Sequence, residues 1–134
     1  MAGIPYLGIC LGMQFLFERS DELGEHLGLG ILPGVVTRFE EMPGFKVPHM
    51  GWNELKIMRE SPLMRDLPDG GYAYFVHSYH CVPADLRDIV AVVDYGVSIT
   101  AAVQRENVFG VQFHPEKSQM TGLRILNNFL EMGE

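Results

Sequence analysis

The segment that most constrains how this chain can fold is Gly8-Ile9-Cys10-Leu11-Gly12, which ends an apolar run over Ile4–Ile9. A nucleophile with glycine two residues to either side, after an apolar strand and before helix-compatible sequence, is the pattern of a strand-to-helix elbow. Such an elbow ends the strand in a sharp turn and holds the central residue in a strained backbone state. The glycines, lacking Cβ, let neighbouring backbone approach. The helix after the elbow aims its N-terminus at the sulfur, favouring a thiolate and a developing oxyanion, and makes the Leu11 N–H an oxyanion donor. The bland alternative for Cys10 is a buried cysteine in an apolar strand. Cys81 follows His80 without a glycine bracket and reads as a core bystander.

An elbow of this kind belongs to an α/β or α+β chain. Ile4–Ile9 reads as a short buried strand and Gly12–Arg19 as the helix after it. Gly24–Gly34 reads as loop, and Val35–Phe39 and Lys46–His49 as short strands around a Met42-Pro43-Gly44 turn. Four further β-type runs come next: Tyr72–His80, Ile89–Tyr95, Ile99–Gln104 and Val108–Phe113. The closing helix spans roughly Gly122–Met132, with Leu123, Leu126, Phe129 and Leu130 on one face and Thr121 or Ser118 as N-cap.

With 134 residues and no repeat or linker, the chain is sized for one domain that buries roughly two-thirds of its unfolded surface. At 47% hydrophobic and a net charge of −7 it is too apolar for disorder, and no basic cluster suggests nucleic acid. No apolar stretch is long enough for a membrane span. Without a signal-peptide pattern, a reducing cytoplasmic setting is expected for the two cysteines.

A thiol nucleophile needs a base. Of His26, His49, His77, His80 and His114, the last stands out because His114-Pro115-Glu116 comes directly after the apolar run Val108–Phe113, at a strand end. Pro115 restricts the backbone between the two polar groups, so Glu116 can orient one imidazole nitrogen while the other faces Cys10. His77, within Tyr74-Phe75-Val76-His77-Ser78-Tyr79, is the rival base, and His26 reads as a surface histidine. No metal-binding spacing is present, and neither metal nor cofactor is expected.

Taken together, Gly-Ile-Cys-Leu-Gly-Met-Gln (8–14) and Val-Gln-Phe-His-Pro-Glu-Lys-Ser (111–118) resemble the class I glutamine amidotransferase family. Within it, Pro48-His49-Met50-Gly51-Trp52-Asn53, the Tyr74–Tyr79 segment and Ile125–Leu130 are similar to the glutaminase subunits of imidazole glycerol phosphate synthases. The resemblance runs the whole chain. It implies a flavodoxin-like, three-layer α/β/α domain with a mixed central sheet. It also implies a Cys10–His114–Glu116 triad that hydrolyses glutamine through a thioester, with Leu11 at the oxyanion and Gln14, His77, Ser78 and Tyr79 holding substrate. The ammonia would pass to a (βα)8 cyclase partner, in a heterodimer whose interface or gate is formed by His49, Met50, Gly51, Trp52, Asn53 and Tyr74.

Family members carry further strands and helices before the elbow, including a glycine-rich loop that supplies a second oxyanion N–H. With Cys10 so early, residues 1–134 are expected to correspond to the C-terminal two-thirds of such a domain. Such a chain would be slow as a glutaminase and prone to self-association through an exposed sheet edge. Two other readings stay open: another Cys–His hydrolase, either a γ-glutamyl hydrolase or a cysteine peptidase, and a non-catalytic folding or interaction module.

Overall fold

The computed structural model describes residues 4–21, 26–40, 42–67 and 71–132. Its elements, in order, are β1 (Tyr6–Ile9), α1 (Leu11–Gln14), β2 (Arg19–Ser20), β3 (His26–Leu27), β4 (Gly34–Arg38), β5 (His49–Glu54), β6 (Lys56–Ile57), β7 (Tyr72–His77), β8 (Tyr79–Pro83), β9 (Ile89–Asp94), β10 (Ser98–Arg105), β11 (Val108–Val111) and α2 (Gln119–Met132). Single 3-10 turns lie at Pro62–Met64, Leu86–Asp88 and Pro115–Lys117.

The central sheet runs β1-β11-β10-β9-β6, with β1 parallel to β11 and the remaining pairs antiparallel. Strand alternation on β11 builds a layer on each face. Val108 joins Met13, Leu16 and Phe17 in one core, and Gly110 has no room for a Cβ beside the Met13 side chain. Phe109 and Val111 point the other way, into the larger core with Phe75, Phe113 and Ile125. There Phe109 meets Phe129 of α2 edge-on, the ring centroids 6.4 Å apart. The α1 and α2 layers therefore sandwich a mixed sheet, the α/β/α architecture expected. Each large side chain so buried stabilises the fold by about 1.5–3 kcal/mol.

Several local expectations change. The first helix stops after four residues rather than running to Arg19. The carbonyls that would continue it are taken: Phe15 O accepts from Leu29 N–H, Leu16 O from Leu32 N–H and Phe17 O from Gly30 N–H. Gly28 makes this crossing possible, since a Cβ there would sit 2.0 Å from Phe17 O. Within the expected Gly24–Gly34 loop, His26–Leu27 pairs with Arg19–Ser20 as a short strand. Gly24 and Glu25, and the side chain of His26, lie outside the described residues.

Lys46–Pro48 is not strand; pairing starts at His49, because β5 forms a ladder with β7 from His49↔His77 to Glu54↔Tyr72. The run Tyr72–His80 divides at Ser78, so β7 pairs with β5 while β8 pairs with β4. Helix α2 starts at Gln119 and buries Gly122, Ile125 and Asn128, whereas Leu123 and Leu130 are exposed. Two contacts set that rotation. Gly122 lies flat against the Pro115 carbonyl, and Asn128 Nδ2 donates to Leu63 O and Arg65 O at 2.9 and 2.8 Å. Among the described residues, no helix is long and apolar enough to cross a membrane.

Candidate active site

Cys10 comes directly after β1 with φ 55° and ψ −106°, a left-handed backbone state that non-glycine residues rarely adopt. Three hydrogen bonds hold it there. Its N–H donates to Val111 O at 2.8 Å, and its carbonyl accepts from Met13 and Gln14 N–H at 3.1 and 3.2 Å. Gly8 is required, because a Cβ would lie 2.5 Å from Gly12 O; Gly12 itself has open space around the Cβ position. The elbow thus forms, with only one of its two glycines sterically demanded. The short α1 carries little macrodipole. Leu11 opens α1 and is exposed, while Gln14 closes it and is buried.

β1 and β11 are parallel neighbours, so the chain leaving β11 emerges at the same sheet end as Cys10. His114 lies on that exit. Its N–H donates to Tyr74 O at 3.0 Å, and its Nδ1 lies 3.1 Å from Glu116 Oε2, which leaves Nε2 as the ring nitrogen not engaged by Glu116. Ser118 locks the arrangement by donating from Oγ to His114 O at 2.7 Å and accepting from Tyr74 N–H at 2.9 Å. Among the described residues no three His, Cys, Asp or Glu side chains converge as a metal ion would need.

His77 has a different chemistry. Its Nδ1 lies 2.8 Å from Tyr79 O and its Nε2 2.9 Å from His49 Nδ1. A carbonyl only accepts, so His77 carries its proton on Nδ1, His49 donates from Nδ1, and His49 Nε2 accepts from Asn53 Nδ2 at 3.3 Å. Both rings are buried against Phe75 and Phe39, and burial lowers each pKa from 6.5 to about 4. With both nitrogens committed and the ring held neutral, His77 is ill suited to act as the base. Unfolding releases these histidines to take up protons near pH 6.5, which the folded chain does not do until about pH 4. Stability is therefore expected to fall as pH drops from 6.5 towards 4, with the urea midpoint decreasing across that window. A midpoint that stays flat from pH 6.5 to 4 contradicts the buried neutral pair.

The β5–β7 ladder divides the remaining expected residues between two faces. His49, Gly51 and Asn53 lie on the inner face. Met50, Trp52 and Tyr74 lie on the outer face, with Trp52 48% exposed and its ring edge-on to Tyr74 at 5.9 Å. Ser78 and Tyr79 are half-buried at the crossover into β8. Cys81 is buried in the second core, where desolvation pushes its thiol well up. Alkylation of the folded chain is expected at Cys10 on the order of 10²-fold faster than at Cys81; peptide mapping that finds Cys81 labelled first would reverse that assignment. Sequence reasoning gave Gln112 no role, yet its side-chain Nε2 lies 3.7 Å from Cys10 Sγ. The alternation Val111-Gln112-Phe113-His114 was the signal that it shares a side with His114.

Known proteins resemble this chain along nearly all of its length. Residues 1–132 match the family model described as glutamine amidotransferase class-I. The chain is 53% identical, over 98% of its own length, to imidazole glycerol phosphate synthase subunit HisH of Syntrophotalea carbinolica, and 54% identical over 95% to that of Salinibacter ruber. It spans 66% and 61% of the length of those two relatives. Among solved structures, a putative GMP synthase subunit from Thermoplasma acidophilum superposes with a TM-score of 0.70 at 20% identity, covering 96% of this chain and 57% of that one. A glutamine amidotransferase from Thermotoga maritima gives 0.62 at 21% identity, covering 96% and 47%. These likenesses extend the α/β/α layering to a flavodoxin-like fold. With the family model matched from end to end of the described core and the elbow formed as the motif requires, the chain belongs to the class I glutamine amidotransferases.

Proposed function

We propose that this chain acts as a glutaminase, releasing ammonia from L-glutamine for a (βα)8 cyclase that makes imidazole glycerol phosphate in histidine biosynthesis. The observation that carries this reading is Cys10, held at φ 55° beside the strand whose continuation bears the His114–Glu116 pair. Cys10 Sγ attacks the side-chain amide carbon of glutamine, and the tetrahedral oxyanion forms against the Leu11 N–H. His114, having taken the Cys10 thiol proton, gives it to the leaving nitrogen and ammonia departs, leaving the γ-glutamyl thioester. His114 then takes a proton from water, which attacks the thioester and frees glutamate. Glu116 orients His114 and stabilises its charged form. Gln14 and the His77-Ser78-Tyr79 segment hold the amino-acid end of the substrate; His77 contributes shape through its fixed tautomer.

The exposed Met50 and Trp52, with the half-buried Tyr74, supply the docking face for the cyclase, as aromatic anchors do at interfaces, with His49, Gly51 and Asn53 backing it from the inner side. The high identity to HisH subunits supports this partner over a γ-glutamyl hydrolase or peptidase. Glutamate formation from glutamine by the 134-residue chain, measured with and without such a cyclase, is the test. With Leu11 as the oxyanion donor these residues supply, turnover is expected below about 1 s⁻¹, the low end for ordinary enzymes, and is expected to rise when the cyclase is added. Glutamate formation at the buffer rate in both conditions overturns the glutaminase reading.

A further inference from the structure

Gln112 is fully buried, and its backbone is locked between the two strands that flank β11. Its N–H donates to Ala101 O on β10 at 2.8 Å, while the carbonyl of the preceding Val111 accepts from Cys10 N–H at 2.8 Å. Val111 and Phe113 enter the larger core, which turns the Gln112 side chain the other way, towards the elbow. There Nε2 lies 3.7 Å from Cys10 Sγ, and Oε1 has no hydrogen-bond partner among the described residues. A buried amide with an unpaired oxygen costs stability and calls for an explanation. Turning the amide over would set Oε1 against the sulfur and leave both N–H groups unpaired, where the orientation present leaves Oε1 and one N–H unpaired. The orientation that keeps an N–H on the sulfur is the one that favours a thiolate, an acceptor, over a thiol.

We propose that Gln112 is a positioning residue for the nucleophile: its side-chain N–H fixes the direction of Cys10 Sγ and stabilises the deprotonated sulfur. The assignment rests on Cys10 being the nucleophile. It also answers how a four-residue helix without a charged residue can activate a thiol, since α1 supplies little field of its own. Among the described residues, the ionisation of Cys81 on β8 senses Cys10, and His114 with Glu116 lies beyond β11 at the sheet end where Cys10 follows β1. Gln112 is the neutral donor among them, so its effect persists whatever the charge on His114.

The test is the pH profile of Cys10 alkylation by iodoacetamide, followed by peptide mass mapping on the 134-residue chain and on Q112M and Q112L. Both substitutions remove the donor together with the unpaired oxygen, so neither is expected to cost stability through a buried polar group. The midpoint for Cys10 is expected to rise by about one pH unit in both, which makes alkylation about tenfold slower below the midpoint. The high-pH plateau is expected to stay level or rise, because a more basic thiolate is the stronger nucleophile. A merely structural role would change the plateau or the melting temperature and leave the midpoint in place. Midpoints within about 0.2 pH unit of the parent in both variants overturn the proposal for Gln112. Parent chains in which Cys10 does not react ahead of Cys81 count instead against the nucleophile reading.

Discussion

Replacing Cys10 with glycine is expected to abolish covalent capture of a diazoketone or chloroketone glutamine analogue while making the fold more stable. The chemical loss is complete, because no other thiol in the described structure is placed to react: Cys81 is buried in the second core and its thiol is pushed well up by desolvation. Glutamine hydrolysis is expected to fall by about 10⁴-fold or more, as when the nucleophile of a triad is removed. The stability gain comes from the backbone. Cys10 sits at φ 55°, and a non-glycine residue held in such a state costs on the order of 1–3 kcal/mol. Three hydrogen bonds, from its own N–H and to its carbonyl, keep it there. Glycine relieves the strain and keeps all three. A structural cysteine would show the reverse, no chemical change and a loss of stability. Capture that persists in Cys10→Gly, or that moves to Cys81 at the same rate, would remove Cys10 from the mechanism.

The largest expected structural effect is at Gly122. A Cβ added there would lie 1.8 Å from Pro115 O, 2.6 Å from its carbonyl carbon and 2.9 Å from its Cα. These are backbone atoms that cannot rotate aside, so either α2 lifts or the Pro115–Lys117 turn shifts. Gly122→Ala is expected to cost about 3 kcal/mol, at the upper end for overpacking, and to lower Tm by roughly 10 °C for a chain of this size. The same change reaches the chemistry, because the displaced turn carries Glu116 and adjoins His114, whose position Tyr74 O and Ser118 fix. An ångström of misplacement there costs about 10²-fold in rate. Gly12→Ala is the control: its Cβ meets nothing within 4 Å, and alanine in a helix is favoured over glycine by roughly 1 kcal/mol. A Gly122→Ala variant that melts with the parent would show that the helix and the turn are not in the contact described.

Local chemistry in the sequence was enough to place the elbow, the strands around it and the closing helix. Glycine at position 8, an apolar approach and a cysteine at position 10 leave few alternatives for a backbone that must turn at once, and the turn is present with Gly8 packed on Gly12. The apolar run Val108–Phe113 likewise reads as a strand with His114 at its end. Boundaries were less legible where backbone groups find distant partners. The first helix looked twice as long because nothing local in Gly12–Arg19 stops it; the glycine-rich segment around Gly28 does, by taking its carbonyls. Tyr72–His80 looked like one strand because the division at Ser78 depends on which sheets receive its halves.

What the sequence determined by itself is the family, the cysteine-bearing elbow and the pairing of His114 with Glu116 across a single proline, all set by residues close together in the chain. Only the tertiary structure decided which helix face is buried, that Asn128 rather than Leu130 goes inside, and that His77 is tied to His49 and so removed as a base. It alone brought Gln112 to the Cys10 sulfur across 102 residues of chain. The physical reason is the same in each case. A buried polar group must find its hydrogen-bond partner wherever the fold places one, and no pattern of hydrophobicity along the chain records where that is.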